Sequence, residues 1–339
     1  MISIECYNGL PFEYESFLIE KYDSFMTTCR YIEIYNSEYE MFYLLVKENN
    51  QLIELILYGN INDTSTCFNS LVNIDEYIIS ECLKKIFEKY QGIKKIKIIA
   101  SYNKYLFKNS FLTSEFNDHI VKLPGSIDEY YSELGRSTRQ RLRNRKVKLL
   151  RDYPEVSFVT KFGIEIEERM IEKIIQLNYE RMKHKGKIHG KDDIFKNNIY
   201  KYSQYYGCVS YIEIDHEIAA GSISIIINNR IFGLVSAHDN KFSPYNLGEA
   251  SIFFVIETAI EKRLSAFHFL WGESELKNRL LAKPQMLSSY IIYRSNSLEY
   301  LLGKLNALFL RKLMVLKQSN FTKPIRNAIK NYRSRSWKK

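Results

Sequence analysis

The 339-residue sequence has few cysteines, and they fit neither a disulfide framework nor a zinc site. The five cysteines are scattered, odd in number and without a CxxC pair, and the six histidines include no HExxH pair. No apolar run reaches the 18 residues of a membrane span, and the first residues carry acids where a signal peptide has a basic segment. We therefore expect a cytoplasmic protein with reduced thiols and no metal.

Acidic residues are absent from two segments that are rich in lysine and arginine. Residues 136–151 hold eight Lys or Arg residues, residues 301–339 hold eleven, and neither segment has an Asp or Glu. Subtracting these nineteen charges from the net charge of +10 leaves about −9 for the rest of the chain. This concentration predicts contact with a polyanion such as a phosphate-bearing ligand, a nucleic acid or an anionic membrane surface.

Hydrophobic residues make up 45% of the chain, enough for two domains with cores. Residues 207–269 predict three strands, a loop, a helix and a short strand, with turns at Asp215-His216 and Asn228-Asn229. A fainter version of this order lies near the N-terminus: a hairpin turning at Asn49-Asn50, a helix over 74–90 and a strand over 93–101. The repeated order suggests an internal duplication. We place a first unit at 1–120, a second at 121–296 and a basic helical tail at 297–339.

The stretch HDNKFSPYNLGEASIFF, residues 238–254, joins a polar loop to an apolar helix that we expect to run from Gly248 to Arg263. A helix start has unpaired N–H groups and the positive end of the helix dipole, so a glycine there lets a phosphate approach the main chain. The alternative is an ordinary strand-to-helix turn.

A second helical segment begins after Pro124-Gly125, with Ser126 as the N-cap and Glu129 three residues on. The segment then becomes strongly basic, and Arg139, Arg143 and Lys146 lie on neighbouring turns. Several arginines are thus placed to converge on one anionic group. The alternative is a helix face that is simply solvated.

These segments, together with FHFLWGESELKN at 267–278, resemble the GNAT superfamily of acyltransferases. The resemblance is to its bacterial branch, with the cellulose-biosynthesis-associated acetyltransferase-like proteins and the tandem-GNAT FemAB proteins. It covers residues 120–295 well and residues 1–110 weakly. It implies an α/β (α+β) fold of tandem GNAT-like units, each a mostly antiparallel twisted sheet flanked by helices.

The resemblance also implies a donor site on the second unit, where GNAT enzymes hold the pyrophosphate of coenzyme A on a Q/R-x-x-G-x-G/A loop. The residues aligned with that loop include Gly248 and Ala250, which fit its final G-x-A, whereas its basic first position is missing. The donor expected first is acetyl-CoA or another acyl-CoA, while acyl-carrier and aminoacyl-tRNA donors stay open. The residues placed at the donor are Tyr245, Leu247, Gly248, Glu249 and Ala250.

Acyl transfer to nitrogen by direct attack needs a positioned amine and a proton acceptor, but no protein nucleophile. Our catalytic candidates are Asp239, at the end of the third strand, and Glu273 with Lys277, beyond the last one. Arg139, Arg143 and Trp271 are candidates for binding the substrate. The alternatives are an Asx turn at Asp239, a first-turn helix acid at Glu273, and a surface partner of Glu273 at Lys277.

The acceptor expected is a small-molecule, glycan or peptide amine. Two rival functions stay open: a Fem-like transferase that uses aminoacyl-tRNA, and a non-catalytic protein that binds tRNA or an anionic membrane through its basic segments. The leucines of residues 298–313 follow helical spacing among cations. This pattern predicts either a peripheral helix on the inner membrane face or a helix packed on the second unit.

Overall fold

The computed structural model describes residues 2–184, 186, 193–294, 300–303 and 305. Its strands all belong to one sheet. In chain order they are β1 (Ile2–Asn8), β2 (Glu40–Glu48), β3 (Gln51–Ile61), β4 (Thr64–Cys67), β5 (Lys95–Ser101), β6 (Ser110–Lys122), β7 (Ser157–Phe162), β8 (Gly207–Ile214), β9 (Glu217–Ile227), β10 (Arg230–His238), β11 (Ala266–His268) and β12 (Lys283–Tyr293).

Helices flank the sheet. They are α1 (Glu15–Tyr22), α2 (Cys29–Tyr35), α3 (Glu76–Lys89), α4 (Ile127–Glu133), α5 (Arg136–Asp152), α6 (Glu168–His184), α7 (Asp193–Tyr206), α8 (Leu247–Glu261) and α9 (Glu275–Arg279). Short 3-10 helices cover Phe12–Tyr14, Phe25–Thr27, Gly163–Glu165 and Asn240–Tyr245.

The chain repeats one plan twice: a strand, two helices, three strands, a helix and a strand. The first copy runs from β1 to β5 and the second from β7 to β11. In each copy the last two strands are parallel, β4 with β5 and β10 with β11, while the other pairs are antiparallel. The fold is therefore α/β with two repeated units, each a mostly antiparallel sheet flanked by helices, as the resemblance implies.

The two copies are joined because they exchange strands. The order across the sheet is β1-β2-β3-β4-β5-β12-β6-β11-β10-β9-β8-β7. Strand β6 follows the first copy in the chain yet pairs with β11 of the second, and β12 follows the second copy yet pairs with β5 of the first. A boundary at residue 120 thus falls inside β6.

The turns form where the sequence predicts them, because asparagine and aspartate tolerate the left-handed backbone that tight hairpins need. Positive φ angles occur at Asn49 and Asn50 between β2 and β3, and at Asp215 and His216 between β8 and β9. The predicted helix at 74–90 is α3, and the predicted helix from Gly248 is α8, which begins at Leu247.

Helix α8 is buried on more than one side because it packs on β8, β9 and β10 and also meets α4. Its predicted stripe is buried at Phe253, Val255, Ile256, Ala259 and Ile260. The burial fixes both the direction of the helix and the position of its first turn relative to β10.

The basic helical segment is broken rather than continuous. Ser126 caps α4 by accepting the N–H of Glu129, but Leu134 adopts an extended conformation and α5 begins after Gly135. Leu134 is only 2% exposed, so the break buries its side chain under the second unit.

The predicted tail lies largely outside the described residues, including all of the chain beyond Leu305. Residues 300–303 are helical and contact the end of β12, since the rings of Tyr293 and Tyr300 are 5.7 Å apart. Leu301, Leu302 and Leu305 are more than half exposed. Within the residues that the structure describes, no helix is long and apolar enough to cross a membrane.

Candidate acyl-transfer site

Strands β10 and β11 pair over only three residues each and then part. The paired residues are Arg230–Phe232 and Ala266–His268. Beyond them, β10 shifts its register against β9 between Gly233 and Val235, and Leu270 after β11 has a φ of 56°. A bulge of this kind bends a strand and increases its twist, so the two strands separate towards their carboxyl ends.

A cavity of about 520 Å³ fills the gap between the two strands at the start of α8. Its walls come from α6, β9, β10, α8, β11 and α9. The polar residues among them are Asn178, Arg181, Ser222, Ser224, Ser236, His238, Asn246, Glu249, Ser274, Lys277 and Arg279. We call this space the main cleft.

Several polar atoms in the walls of the main cleft are buried and have no partner in the described part of the chain. They are Asn178 Oδ1, Arg181 Nε, Ser222 Oγ, Ser224 Oγ and Arg279 Nε. Leaving such groups unsatisfied costs roughly 1–3 kcal/mol each, so natural proteins rarely collect them in one place without a ligand or ordered water. Their clustering makes the main cleft the candidate binding site.

The first turn of α8 borders the cleft through Gly248 and Glu249. Asn246 adopts a left-handed conformation, and the amides of Leu247 and Gly248 have no backbone partner among the described residues. A Cβ atom on Gly248 would lie 2.5 Å from Nδ1 of His238. The glycine is therefore required by the close approach of the His238 ring, in addition to any role in binding phosphate.

Glu249, also in this first turn, is 3% exposed and held by cations. Its carboxylate accepts hydrogen bonds from Arg141 Nη2 and Arg145 Nη1, each at 2.9 Å, and from the side-chain amide of Asn246. Arg279 Nη2 lies 3.6 Å from Glu249 Oε1. Three cations thus face one carboxylate beside the positive end of a helix dipole, which leaves an excess of positive charge.

The arginines of the basic helix that converge on one anionic group are Arg141 and Arg145, which bind Glu249. The predicted residues, Arg139 and Arg143, do not take part. Arg139 Nη1 donates to the carbonyl oxygens of Tyr131 and Ser132, where it holds the end of α4. Arg143 is exposed. Because Thr138, Leu142 and Leu149 are the buried residues of α5, Arg141 and Arg145 are the arginines brought towards the second unit. Because α5 has few apolar residues, its sequence does not show which side of the helix packs against the protein.

The other residues predicted at the donor have structural contacts. Tyr245 Oη donates to Asp152 Oδ2 at 2.9 Å, and this hydrogen bond raises the pKa of Tyr245 to about 12. Leu247 is fully buried in the core, and Ala250 is half-buried beside it.

The two predicted catalytic carboxylates do not line the main cleft. Asp239 Oδ1 accepts the N–H of Lys241, so it caps the 3-10 helix at Asn240–Tyr245 in the Asx manner. Glu273 is exposed. Trp271, a predicted substrate contact, is 48% exposed and packs edge-on against Phe116.

Lys277 is the one predicted catalytic residue that lines the cleft. It is 8% exposed and donates to the carbonyl oxygens of Leu270 and Trp271, at 3.0 and 3.1 Å. Burial lowers the pKa of Lys277, while the nearby Asp118 opposes that shift. Lys277 therefore fixes the bend after β11 rather than pairing with Glu273 on the surface.

Sequence reasoning missed His238 and Arg181. His238 stands next to the predicted Asp239 but is the residue whose side chain lines the cleft. Arg181 comes from α6 and has no carboxylate within ion-pair distance among the described residues, and burial lowers its pKa. The position of His238 at the end of the third predicted strand could have identified it as a site residue. Nothing in the sequence indicates that α6, which carries Arg181, lies beside the cleft.

A buried network lies beside the cleft where the two units meet. Asp118 on β6 is fully buried and bonds His268 Nδ1 of β11 at 2.7 Å, and it also accepts the hydroxyl of Tyr102 at 2.9 Å. The network ties the exchanged strand to the end of β11. Within the described residues, no group of histidines, cysteines and carboxylates is arranged to hold a metal ion.

Comparison with known proteins agrees with this geometry. Residues 136–278, which lie within the second unit, match the acetyltransferase (GNAT) domain family. No curated protein matches the sequence.

Two crystal structures share the fold over nearly their whole length. A structure of FemX superimposes with a TM-score of 0.65 at 9% identity, covering 88% of this chain and 99% of that one. A conserved protein of unknown function from Bacteroides thetaiotaomicron VPI-5482 superimposes with a TM-score of 0.54 at 14% identity, covering 86% and 99%. Both units are therefore part of a known architecture.

Proposed function

We propose that this protein transfers an acyl group from an activated donor, in the first place an acyl-CoA, to an amine bound in the main cleft. The observation that carries the proposal is the opening between β10 and β11, at the first turn of α8, in a matched GNAT domain. Gly248 lines the cleft in this turn, and its amide offers a hydrogen bond to a donor phosphate.

The reaction requires no covalent intermediate with the protein. The amine nitrogen attacks the thioester carbonyl, the new C–N bond forms, the C–S bond breaks, and the thiolate leaves. One proton must leave the attacking nitrogen and one must reach the thiolate. Holding both substrates in the cleft makes the attack effectively unimolecular, which is the main contribution that this fold can make.

His238 is our candidate for the proton acceptor. Histidine is the side chain whose ordinary pKa lies closest to neutral pH, and proton transfer by a positioned base contributes roughly 10²–10⁴-fold to rate. His238 lines the cleft directly beside Gly248, whereas Asp239 and Glu273 lie outside it.

Arg181 is our candidate for recognising a carboxylate or phosphate on the acceptor. Its guanidinium lies in the cleft without an ion-pair partner among the described residues. An arginine in this position gains a charge-assisted hydrogen bond when such a group arrives. This favours small-molecule, glycan or peptide amines that carry an acidic group.

The second candidate donor is aminoacyl-tRNA, and the exposed arginines of α5 favour it. Arg136 and Arg143 on the outer face of α5 are exposed and can contact a nucleic acid backbone. A cytoplasmic location suits either donor, and it is supported by five free cysteines, four of them buried.

Binding and turnover test the proposal together. CoA, acetyl-CoA and an uncharged tRNA mixture are each added to the full chain, and the donor class is expected to raise the melting temperature because it binds the folded state. His238→Asn should keep that shift but lower kcat with an identified amine by roughly 10²-fold or more. His216→Asn, at an exposed hairpin turn, is the matched control.

The possible results separate the candidates. A shift with CoA compounds alone supports the acyl-CoA donor, and a shift with tRNA alone supports the aminoacyl donor. Binding without turnover across a panel of amines would favour a non-catalytic binder. Normal turnover by His238→Asn would remove His238 as the base and leave the transferase proposal standing.

A further inference from the structure

A second cavity, of about 340 Å³, adjoins the main cleft and is lined mainly by aromatic and aliphatic side chains. Its walls come from both units. The first unit contributes the 3-10 helix Phe25–Thr27 and α2, and the second contributes α7, β10 and the segment after β11. The residues are Phe25, Met26, Tyr31, Tyr35, Phe195, Gly233, Leu234, Phe269, Leu270 and Trp271. We call it the aromatic cavity.

The aromatic cavity meets the main cleft where β10 and β11 separate. Gly233, Leu234 and Phe269 line both spaces. These three residues flank the bulge in β10 and the end of β11, which is the point where the sheet opens. A molecule held in the main cleft can therefore extend into the aromatic cavity only past this opening.

Among the residues that the structure describes, no lysine, arginine, histidine or carboxylate lines the aromatic cavity. Its two tyrosines are stacked on each other, with ring centroids 4.6 Å apart, and burial raises the pKa of Tyr31 to about 12. The walls therefore stay uncharged at physiological pH. Such walls favour a hydrocarbon ligand, because an ionised group would lose its hydration without gaining a partner.

The size of the cavity also fits a chain rather than a methyl group. A dry apolar cavity of ~150 Å³ is already large enough to bind benzene. The aromatic cavity is more than twice that size, whereas an acetyl group would leave most of it empty. The affinity of an apolar pocket for its ligand comes mainly from the apolar surface that binding buries. Each buried methylene raises the affinity about fourfold.

We infer that the aromatic cavity receives the aliphatic chain of the acyl donor, so that the substrate is a medium-chain acyl thioester rather than acetyl-CoA. This inference rests on the proposed acyl-transfer function of the main cleft. The thioester carbonyl would sit at the opening beside Gly233, and the chain would pass between Leu234 and Phe269.

The arrangement also gives the first unit a role. Phe25, Met26, Tyr31 and Tyr35 line the aromatic cavity from the first unit, although the matched GNAT domain lies wholly in the second. The first unit would thus determine chain length without taking part in the chemistry.

Calorimetric titration of the full chain with acetyl-CoA, octanoyl-CoA and dodecanoyl-CoA tests the inference. We expect octanoyl-CoA to bind at least tenfold more tightly than acetyl-CoA. Met26→Trp fills the cavity from the first unit, so it should lower octanoyl-CoA affinity about tenfold and leave acetyl-CoA affinity within twofold. Met286→Trp is the matched control, because Met286 is 42% exposed on β12 and lines neither cavity.

A second variant guards against the possibility that Met26→Trp fails to fold. Two further ligands without coenzyme A test the cavity separately from the phosphate site. Phe195→Ala enlarges the cavity and should move the preference from octanoyl-CoA towards dodecanoyl-CoA. Octanoyl-N-acetylcysteamine carries the same thioester without phosphates, so it probes the cavity alone, and octylamine probes it as an acceptor site.

Each result decides a different point. Equal affinity for all chain lengths would overturn the inference while the acyl-CoA proposal stands. Binding of octanoyl-N-acetylcysteamine that Met26→Trp abolishes supports the inference, even if coenzyme A itself does not bind. Octylamine binding in place of the thioester would assign the cavity to the acceptor and overturn the inference. If none of these ligands binds, both the inference and the acyl-CoA donor fall.

Discussion

Arg141 and Arg145, one turn apart on α5, hold the carboxylate of Glu249 on α8 at 2.9 Å each. The contact links the basic helix to the start of the helix beside the cleft. Because Glu249 is 3% exposed, its charge is stabilised by these arginines rather than by water.

Glu249→Gln should lower the free energy of unfolding by about 1–3 kcal/mol, since it keeps the shape of the side chain but leaves the arginine charges uncompensated. Urea unfolding measures the change. Glu261→Gln, at the exposed end of the same helix, serves as the control and should stay within about 0.5 kcal/mol of the wild type. Equal stability of both variants would show that the arginines do not depend on this carboxylate.

Gly248→Ala should displace the His238 ring, because the added Cβ would lie 2.5 Å from its Nδ1 atom. We expect a loss of about 1–3 kcal/mol in the free energy of unfolding, as for other overpacked sites, together with weaker donor binding. Gly135→Ala is the control, since a Cβ there meets nothing within 4 Å. Full donor affinity in a folded Gly248→Ala protein would place the donor elsewhere.

Arg181→Met should raise the melting temperature or leave it unchanged, yet abolish binding of an acidic acceptor. The reason is that a partly buried cation without an ion-pair partner costs stability in the free protein, and burial lowers its pKa accordingly. Lys183→Met, exposed two residues along α6, is the control for loss of charge. A clear drop in melting temperature would assign Arg181 to folding instead.

Glu257→Gln should change the pH dependence of stability. Burial raises the pKa of Glu257, so between the unfolded value of about 4.3 and the higher folded value the folded chain binds more protons. The wild type therefore loses stability as pH rises through that window, whereas the glutamine variant does not titrate.

Urea unfolding at pH 4 and pH 7 checks this expectation. The stability of Glu257→Gln relative to the wild type should increase from the lower pH to the higher. Glu88→Gln, an exposed change on α3, controls for the substitution itself. A relative stability that is the same at both pH values would contradict the account.

Much of the fold is determined locally, and this is the part that the sequence predicts. Asn49-Asn50 and Asp215-His216 form turns because their side chains tolerate positive φ, whatever surrounds them. The strands beside them and helices α3 and α8 follow from apolar spacing. The repeated order of elements is visible for the same reason.

The candidate site depends on contacts between distant parts of the chain. Only the tertiary structure decides that Arg141 and Arg145 face Glu249, since the few buried residues of α5 find their place against the second unit. It also decides that His238 rather than Asp239 lines the cleft, because the register shift in β10 sets which side chains point there.

The turns, most element positions, the two basic segments and the loop before α8 follow from local residue patterns. The exchange of β6 and β12, the burial of Lys277 and the aromatic cavity lined by both units emerge only in the folded chain. Periodicity and turn chemistry act within a few residues, whereas strand pairing and burial depend on surfaces brought together only when the whole chain has folded.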